Sequence, residues 1–189
     1  MRLFVSVDLP DDLADAVAAV QDEFADASGL EFTDPTQAHL TLKFLGDVPD
    51  GDVPEIEAAL ERAVDAADVA PFEATFAGLG VFPSEEYIRV LWLGVEDGAE
   101  ELTRLQAAVE SAMVDLGFDE EDHEFTPHVT LARMKHAGGK ELVQAGVRER
   151  DPTVGTATVE SVHLTRSDLT PEGPEYTTVH TVPVSARDR

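Results

Sequence analysis

One order of strands and helices occurs twice along this chain, and it constrains the fold more than any other feature of the sequence. Apolar runs predict strands at residues 2–8, 38–45 and 72–82, and apolar stripes at helical spacing predict helices from residue 11 and over 53–64. The same order starts again about 85 residues later, at Tyr87. The sequence therefore predicts an α+β fold made of two similar lobes.

The second copy shows strands at 87–95 and 128–134, helices over 102–116 and 140–148, and a strand over 156–165, before a last strand at 176–184. No flexible linker separates the copies, so we expect one bilobal domain over 1–189. Its lobes span approximately 1–84 and 85–189, and the terminal strands can exchange between sheets. Two sheets that face each other would leave a cleft, where ligands commonly bind.

A histidine followed two positions later by threonine stands at equivalent places in both copies. Residues 39–42 read His-Leu-Thr-Leu and residues 128–131 read His-Val-Thr-Leu, and their separation of 89 residues agrees with the repeat. The same short pattern occurs at His163, which has no counterpart in the first copy, so we interpret His163 as a structural strand residue. A structural role is also the alternative for the paired motifs.

Side chains alternate between the two faces of a strand. The first motif therefore predicts that His39, Thr41 and Lys43 share one face, and the second predicts the same of His128 and Thr130. Each lobe is thus expected to present an imidazole and a hydroxyl on the polar face of a strand whose other face is core.

Two imidazoles with ordinary pKa values of about 6.5 can be one protonated and one neutral near neutral pH, as concerted acid and base catalysis requires. Threonine hydroxyls can donate to phosphate oxygens, and Lys43 or Arg133 can balance the charge that develops on them. Such a set of groups suits phosphodiester cleavage without a metal. Strict alternation places Arg133 on the face opposite His128, so it reaches the site only if the strand ends or bulges first.

The chain is strongly acidic, with 13 Lys and Arg against 39 Asp and Glu and a net charge of −26. This balance excludes a broad basic face for long nucleic acid, and the lack of cysteine excludes thiol nucleophiles and Cys-ligated metals. We interpret the acidity as adaptation to a salt-rich cytoplasm, and the acidic run at 119–124 as a solvated loop. With no recognisable signal peptide or membrane span, we expect a soluble cytoplasmic protein.

Taken together, these motifs resemble the LigT-type RNA 2',3'-cyclic phosphodiesterases, historically called 2'-5' RNA ligases, of the two-histidine (2H) phosphoesterase superfamily. The resemblance extends over most of the chain. It is carried by AHLTLKFLG at 38–46, RVLWLGV at 89–95, PHVTLAR at 127–133, and LTRS at 164–167 followed by Gly173 and Tyr176.

The resemblance implies two lobes of antiparallel sheet with outer helices around a cleft. It also implies hydrolysis of RNA 2',3'-cyclic phosphate ends to 2'-phosphomonoesters without any metal or other cofactor. In the family's pattern His39 is the proton donor and His128 the proton acceptor. Thr41 and Thr130 contact the phosphate, and Arg133 stands where the family has an arginine near it.

The expected partner is RNA with a 2',3'-cyclic phosphate terminus, tRNA-derived ends included, with no membrane, no metal and a monomeric protein. Two alternatives remain: a 2'-5' RNA ligase acting on tRNA halves, and a non-catalytic module that binds RNA ends. With few cations, recognition should depend on the terminal phosphate and on base stacking. The candidates for the RNA strand and for stacking are Arg133, Lys135, His136 and Lys140, and Phe82, Tyr87 and Trp92.

Overall fold

The computed structural model describes residues 1–187, which contain nine strands and four α-helices. The strands are β1 (Arg2–Asp8), β2 (Leu30–Phe32), β3 (His39–Asp47), β4 (Phe72–Pro83), β5 (Ile88–Val95), β6 (His128–Met134), β7 (Thr153–Val159), β8 (Ser161–Thr170) and β9 (Gly173–Pro183). The helices are α1 (Ala14–Asp22), α2 (Val53–Ala67), α3 (Ala99–Asp115) and α4 (Lys140–Glu149).

All strands belong to one antiparallel sheet, in the order β7-β4-β5-β6-β3-β1-β8-β9, with β2 added to β6. The predicted α+β class, with an antiparallel sheet and outer helices, is confirmed. The two halves are not separate sheets, however, because β3 pairs with β6 at Leu40 and Val129 and joins them. The two histidine motifs therefore lie on adjacent central strands.

Each half of the sheet contains strands from both ends of the chain. From the C-terminal part, β8 and β9 extend the half that contains β1 and β3, whereas β4 joins β5, β6 and β7. The sheet thus does not divide at residue 84. The prediction of one strand over 156–165 is wrong, because the chain leaves the sheet at Glu160 and the two pieces belong to different halves.

The helices pack against one face of the sheet through their apolar stripes. In α3 this stripe is Leu102, Leu105, Val109 and Met113, all fully buried, as expected for apolar residues at spacings of three and four. Burying each such side chain contributes about 1.5–3 kcal/mol. The opposite face of the sheet carries the polar side chains of the two His-x-Thr motifs. None of the helices within residues 1–187 is both long and apolar enough to cross a membrane.

Candidate active site

The two His-x-Thr motifs meet side by side where β3 and β6 pair. Continuing the antiparallel register outward from Leu40 and Val129 places His39 beside Thr130 and Thr41 beside His128. Opposite side chains on one face of such a pair have Cβ atoms about 4.5–5.5 Å apart, and diagonal neighbours are about 7–8 Å apart. The two histidines are therefore diagonal neighbours in what we call the His/Thr cluster.

His39 is held by its backbone and by two aromatic rings. Its Nδ1 lies 3.0 Å from the carbonyl oxygen of Gln37. A carbonyl only accepts, so Nδ1 carries the hydrogen and Nε2 is the nitrogen available for proton transfer. The ring centroids of Phe4 and Tyr176 each lie 4.9 Å from that of the imidazole, which restricts its rotation.

His128 has the same arrangement in the second half. Its Nδ1 lies 2.7 Å from the carbonyl oxygen of Thr126, so Nε2 is again the available nitrogen. Phe82 packs edge-on at 4.9 Å between ring centroids, and the Trp92 ring lies 5.9 Å away. Two of the three aromatic residues considered for base stacking, Phe82 and Trp92, thus contact a motif histidine, and Trp92 is half-buried.

Burial lowers the pKa of both imidazoles from the ordinary 6.5, because desolvation disfavours the charged form. The hydrogen bond to a backbone carbonyl acts to raise the pKa of each ring, and the charged neighbours differ. The Asp8 carboxylate acts to raise the pKa of His39, whereas Arg133, His39 and His123 all act to lower that of His128. Arg133 also acts to lower the pKa of His39. Among these charged neighbours only Asp8 is a carboxylate, and it acts on His39 and not on His128.

A β-bulge in β6 brings Arg133 to the face of the histidines. Thr130 pairs with Trp92 and Ala132 with Leu91, so Leu131 is an extra residue between them and shifts the alternation by one place. Arg133 is exposed after the bulge, and its charge acts on both histidines. The structure thus fulfils the condition under which the sequence placed Arg133 at the site.

The corresponding bulge in β3 removes Lys43 from the site. Thr41 pairs with Ser6 but Lys43 with Val5, so the alternation shifts after Thr41. The prediction that Lys43 shares the face of His39 is therefore wrong. Its side chain is 1% exposed, and its Nζ lies 2.8 Å from Glu110 Oε2 on α3.

Phe44, 57% exposed, occupies the place in the first motif that Arg133 occupies in the second, five residues after the histidine. Residues 39–44 and 128–133 in fact have the same burial pattern, position for position. The two motifs thus have the same geometry at this position but different chemistry. The first motif has an aromatic ring there, and the second has a cation.

Asp8 is a site residue that the motif analysis missed. It pairs directly with His39 across β1 and β3. His163 lies on its other side, with Nε2 3.8 Å from Asp8 Oδ2, and so stands next to the His/Thr cluster rather than in it. The pattern of β1 could have identified Asp8, because alternation there buries Leu3, Val5 and Val7 on the other face.

Among residues 1–187, one group of side chains has the spacing of a metal site, Glu121, Asp122 and His123, whose donor atoms lie within 4.8 Å of one another. All three are exposed, and they belong to the acidic run interpreted as a solvated loop. Exposed acidic side chains commonly stand close together without a bound cation, and the cluster is separate from the four residues of the paired motifs.

A cavity of about 350 Å³ opens beside His39, on the side of β1 and β9. Its lining includes Asp8 and Tyr176, which offer a carboxylate acceptor and an aromatic ring. Such a lining suits a planar group with hydrogen-bond donors, such as a nucleobase.

The sequence matches the family model described as the 2'-5' RNA ligase superfamily over residues 7–171. It is 38% identical over 179 residues to the RNA 2',3'-cyclic phosphodiesterase of Methanothermobacter thermautotrophicus, covering 94% of this chain and 95% of that protein. The corresponding protein of Archaeoglobus fulgidus is 35% identical, with 93% and 96% covered.

Solved structures show the same fold. The protein TT0787 of Thermus thermophilus superposes with a TM-score of 0.81 at 32% identity and covers 100% of both chains. Escherichia coli LigT complexed with 3'-AMP superposes with a TM-score of 0.77 at 24% identity, covering 97% of each chain.

Proposed function

The chain belongs to the 2'-5' RNA ligase superfamily, and on this premise we propose that His39 and His128 hydrolyse 2',3'-cyclic phosphate ends of RNA to 2'-phosphomonoesters. The relatives named as RNA 2',3'-cyclic phosphodiesterases cover most of the chain. The observation that carries the proposal is the meeting of two imidazoles, each with its Nδ1 bonded to a backbone carbonyl, on one pair of strands.

In the proposed reaction His128 Nε2 removes a proton from water as the water oxygen forms a bond to phosphorus. The bond between phosphorus and the ribose 3'-oxygen breaks, and that oxygen takes a proton from His39 Nε2. The products are a free 3'-hydroxyl and a 2'-phosphate. One proton is taken and one is given, so the protonation of the pair is reversed after each turnover and is restored by exchange with solvent.

The surroundings of the two rings support this division of roles. The Asp8 carboxylate favours the protonated form of His39, as an acid requires. Arg133 and the His39 charge favour the neutral form of His128, as a base requires. A bound phosphate would raise the pKa values of His39 and His128, because an anion stabilises the protonated imidazolium form.

Thr41, Thr130 and Arg133 would bind the non-bridging phosphate oxygens. Hydroxyl and guanidinium groups donate hydrogen bonds to these oxygens, and such bonds strengthen as negative charge accumulates in the transition state. With acid, base and charge stabilisation all supplied by side chains, the proposed reaction requires no metal. We therefore expect undiminished turnover in the presence of excess EDTA, and a loss restored by a divalent cation would contradict this point.

The reaction is tested with a short RNA that ends in a 2',3'-cyclic phosphate. His39→Ala and His128→Ala should each lower kcat by roughly 10²- to 10⁴-fold, the usual contribution of a general acid or base. His180→Ala is the matched control, because His180 lies on β9 and pairs with Glu61 at 2.8 Å. Full turnover by either motif variant would contradict the mechanism, and ³¹P NMR of the product distinguishes 2'- from 3'-phosphate.

The family match also favours ligation as a second activity at the same site. In the same sense as hydrolysis, a 5'-hydroxyl oxygen would attack phosphorus in place of water, the bond to the 3'-oxygen would break, and the product would be a 2'-5' linkage, as between tRNA halves. Supplying a 5'-hydroxyl RNA in the same assay tests this activity. RNA binding that survives loss of both imidazoles, with no product from the wild type, would instead indicate a binding module. A monomeric, cytoplasmic protein adapted to high salt is part of the proposal.

A further inference from the structure

A second cavity, of about 430 Å³, lies beyond the His/Thr cluster at the end of β6. Its lining collects four of the 13 Lys and Arg residues of a chain whose net charge is −26. These four, Arg89, Arg133, Lys135 and Lys140, line it together with Tyr87 and His136. In a protein this acidic, RNA is repelled from most of the surface, so a local cluster of cations determines where a strand can approach.

Three of these cations, the two arginines and Lys140, have no carboxylate partner within the described residues. Arg89 and Arg133 form no ion pair within residues 1–187, although acidic side chains outnumber basic ones threefold in the chain. Tyr87 holds Arg89 in place, because Arg89 Nε donates to the Tyr87 hydroxyl at 3.2 Å and the guanidinium lies 5.1 Å from the ring centroid. Both arginines are exposed and free to bind an anion.

The lysines are nearly as available. Lys135 pairs with Glu31 at 3.9 Å, but both side chains are more than half exposed, and such pairs contribute little in water. Lys140 donates to the carbonyl oxygen of Glu86, which leaves its remaining hydrogens for a ligand. The lining therefore presents four positive charges of which none is neutralised by a buried carboxylate.

Arg133 relates the cavity to the His/Thr cluster, because it lines the cavity and its charge acts on both motif histidines. The strand register shows at which end of the cluster the cavity lies. In the antiparallel pair, residues that follow Val129 on β6 lie beside residues that precede Leu40 on β3. Along the strands, Arg133 and the cavity therefore lie at the His39 end of the cluster, and across the sheet they lie on the β5 side of β6. The proposed acid protonates the 3'-oxygen, so the terminal ribose is at the His39 end too, and the RNA continues from its 5'-oxygen.

Resting on the proposed function, we propose that this cavity binds the internucleotide phosphates that precede the cyclic end. The true substrate is then an oligonucleotide rather than a cyclic mononucleotide, which cannot reach Arg89 or Lys135. A charge-assisted hydrogen bond to phosphate changes affinity by about tenfold, and each phosphate contact on a single strand contributes about −0.7 to the slope of log affinity against log salt.

The test compares kcat/KM for a trinucleotide ending in a 2',3'-cyclic phosphate with kcat/KM for 2',3'-cyclic CMP. In Arg89→Gln/Lys135→Gln the ratio of these values should fall by about 100-fold at low salt, and the trinucleotide's salt slope should flatten by about 1.4. Arg62→Gln is the matched control, because it removes an exposed positive charge on α2 and should leave the ratio unchanged. An unchanged ratio in the double variant would overturn the inference.

Binding provides a readout that does not depend on turnover. A 5'-labelled trinucleotide carrying a 2'-phosphate should bind the double variant about 100-fold more weakly than the wild type by fluorescence anisotropy. Equal Kd values would overturn the inference, whereas a weaker Kd in a protein that hydrolyses neither cyclic substrate would support this cavity and contradict the proposed function. The two failures are thus distinguishable.

Discussion

Replacing Lys43 by methionine should destabilise the fold while leaving the chemistry of each folded molecule unchanged. Methionine is similar in length but removes the cation, which leaves the Glu110 carboxylate, 17% exposed, without its partner at 2.8 Å. The contact is an ion pair rather than a well-aligned hydrogen bond. The Nζ also donates to the carbonyl oxygen of Asp119 at 2.8 Å and thereby connects the acidic loop to α3.

Removing one partner of a buried ion pair costs about 3–5 kcal/mol, and the partial exposure of Glu110 places Lys43→Met near the lower limit. In a chain of this length each kcal/mol lowers Tm by about 2–4 °C, so a cost of about 3 kcal/mol corresponds to a decrease of about 6–12 °C. Glu110→Gln should also lower Tm, because Lys43 is 1% exposed and would keep only the more distant Glu121 carboxylate, at 3.8 Å. Lys43→Met/Glu110→Leu should recover most of the loss.

Thermal unfolding by circular dichroism, at one fixed salt concentration, measures the cost, and turnover of a cyclic-phosphate RNA well below Tm measures the chemistry. The expected signature is a lower Tm with kcat within about twofold of the wild type. A Lys43→Met protein with the wild-type Tm and a 10²-fold loss in kcat would refute this reasoning. Such a result would indicate that Lys43 binds the phosphate, as strict alternation along β3 predicts.

The other predictions concern the site and the charge of the chain. Since burial lowers the pKa of both His39 and His128 below 6.5, kcat/KM should be bell-shaped with its maximum below pH 6.5 and should decline at higher pH as His39 loses its proton; a maximum near pH 8 would contradict the assignment. Asp8→Asn removes the carboxylate that raises the pKa of His39, so the alkaline limb should move to lower pH, and an unmoved limb would exclude this role. Gly80→Ala would place a Cβ 2.1 Å from the Trp92 ring, so we expect about 1–3 kcal/mol of destabilisation by urea unfolding and a lower kcat as Trp92 shifts against His128; wild-type values would contradict the packing. Tm should increase from low to molar salt, because screening reduces the self-repulsion of a net charge of −26, and a flat profile would refute the salt adaptation.

Most of the architecture could be predicted from periodicity. The apolar stripes of α2 and α3 and the paired motifs of β3 and β6 identify the α+β class and the central strands, since burial imposes a period on the sequence. The sequence allowed terminal strands to exchange, but which half β8 joins could not be read from pattern, because pairing partners depend on contacts distant in the chain. The short β2 is likewise too brief to show a period.

The sequence predicted the positions of the four motif residues, missed Asp8 because it lies outside the motifs, and misplaced Lys43 because the alternation of side chains shifts before it. In each strand the motif residues come before the bulge, so they lie on the face that strict alternation predicts. These residues are His39 and Thr41 on β3, and His128 and Thr130 on β6. Lys43 follows a bulge and is buried on the other face. A bulge inserts one residue without a characteristic composition, so no local feature of the sequence distinguishes it.

The groups that orient the two imidazoles are main-chain carbonyls, at Gln37 and Thr126, each two residues before its histidine. In many enzymes a neighbouring carboxylate performs this task, and a single substitution can remove it. A peptide carbonyl persists through every substitution. The backbone conformation therefore determines which imidazole nitrogen is available for proton transfer. The side chains at positions 37 and 126 can change during evolution without altering the orientation of the two rings.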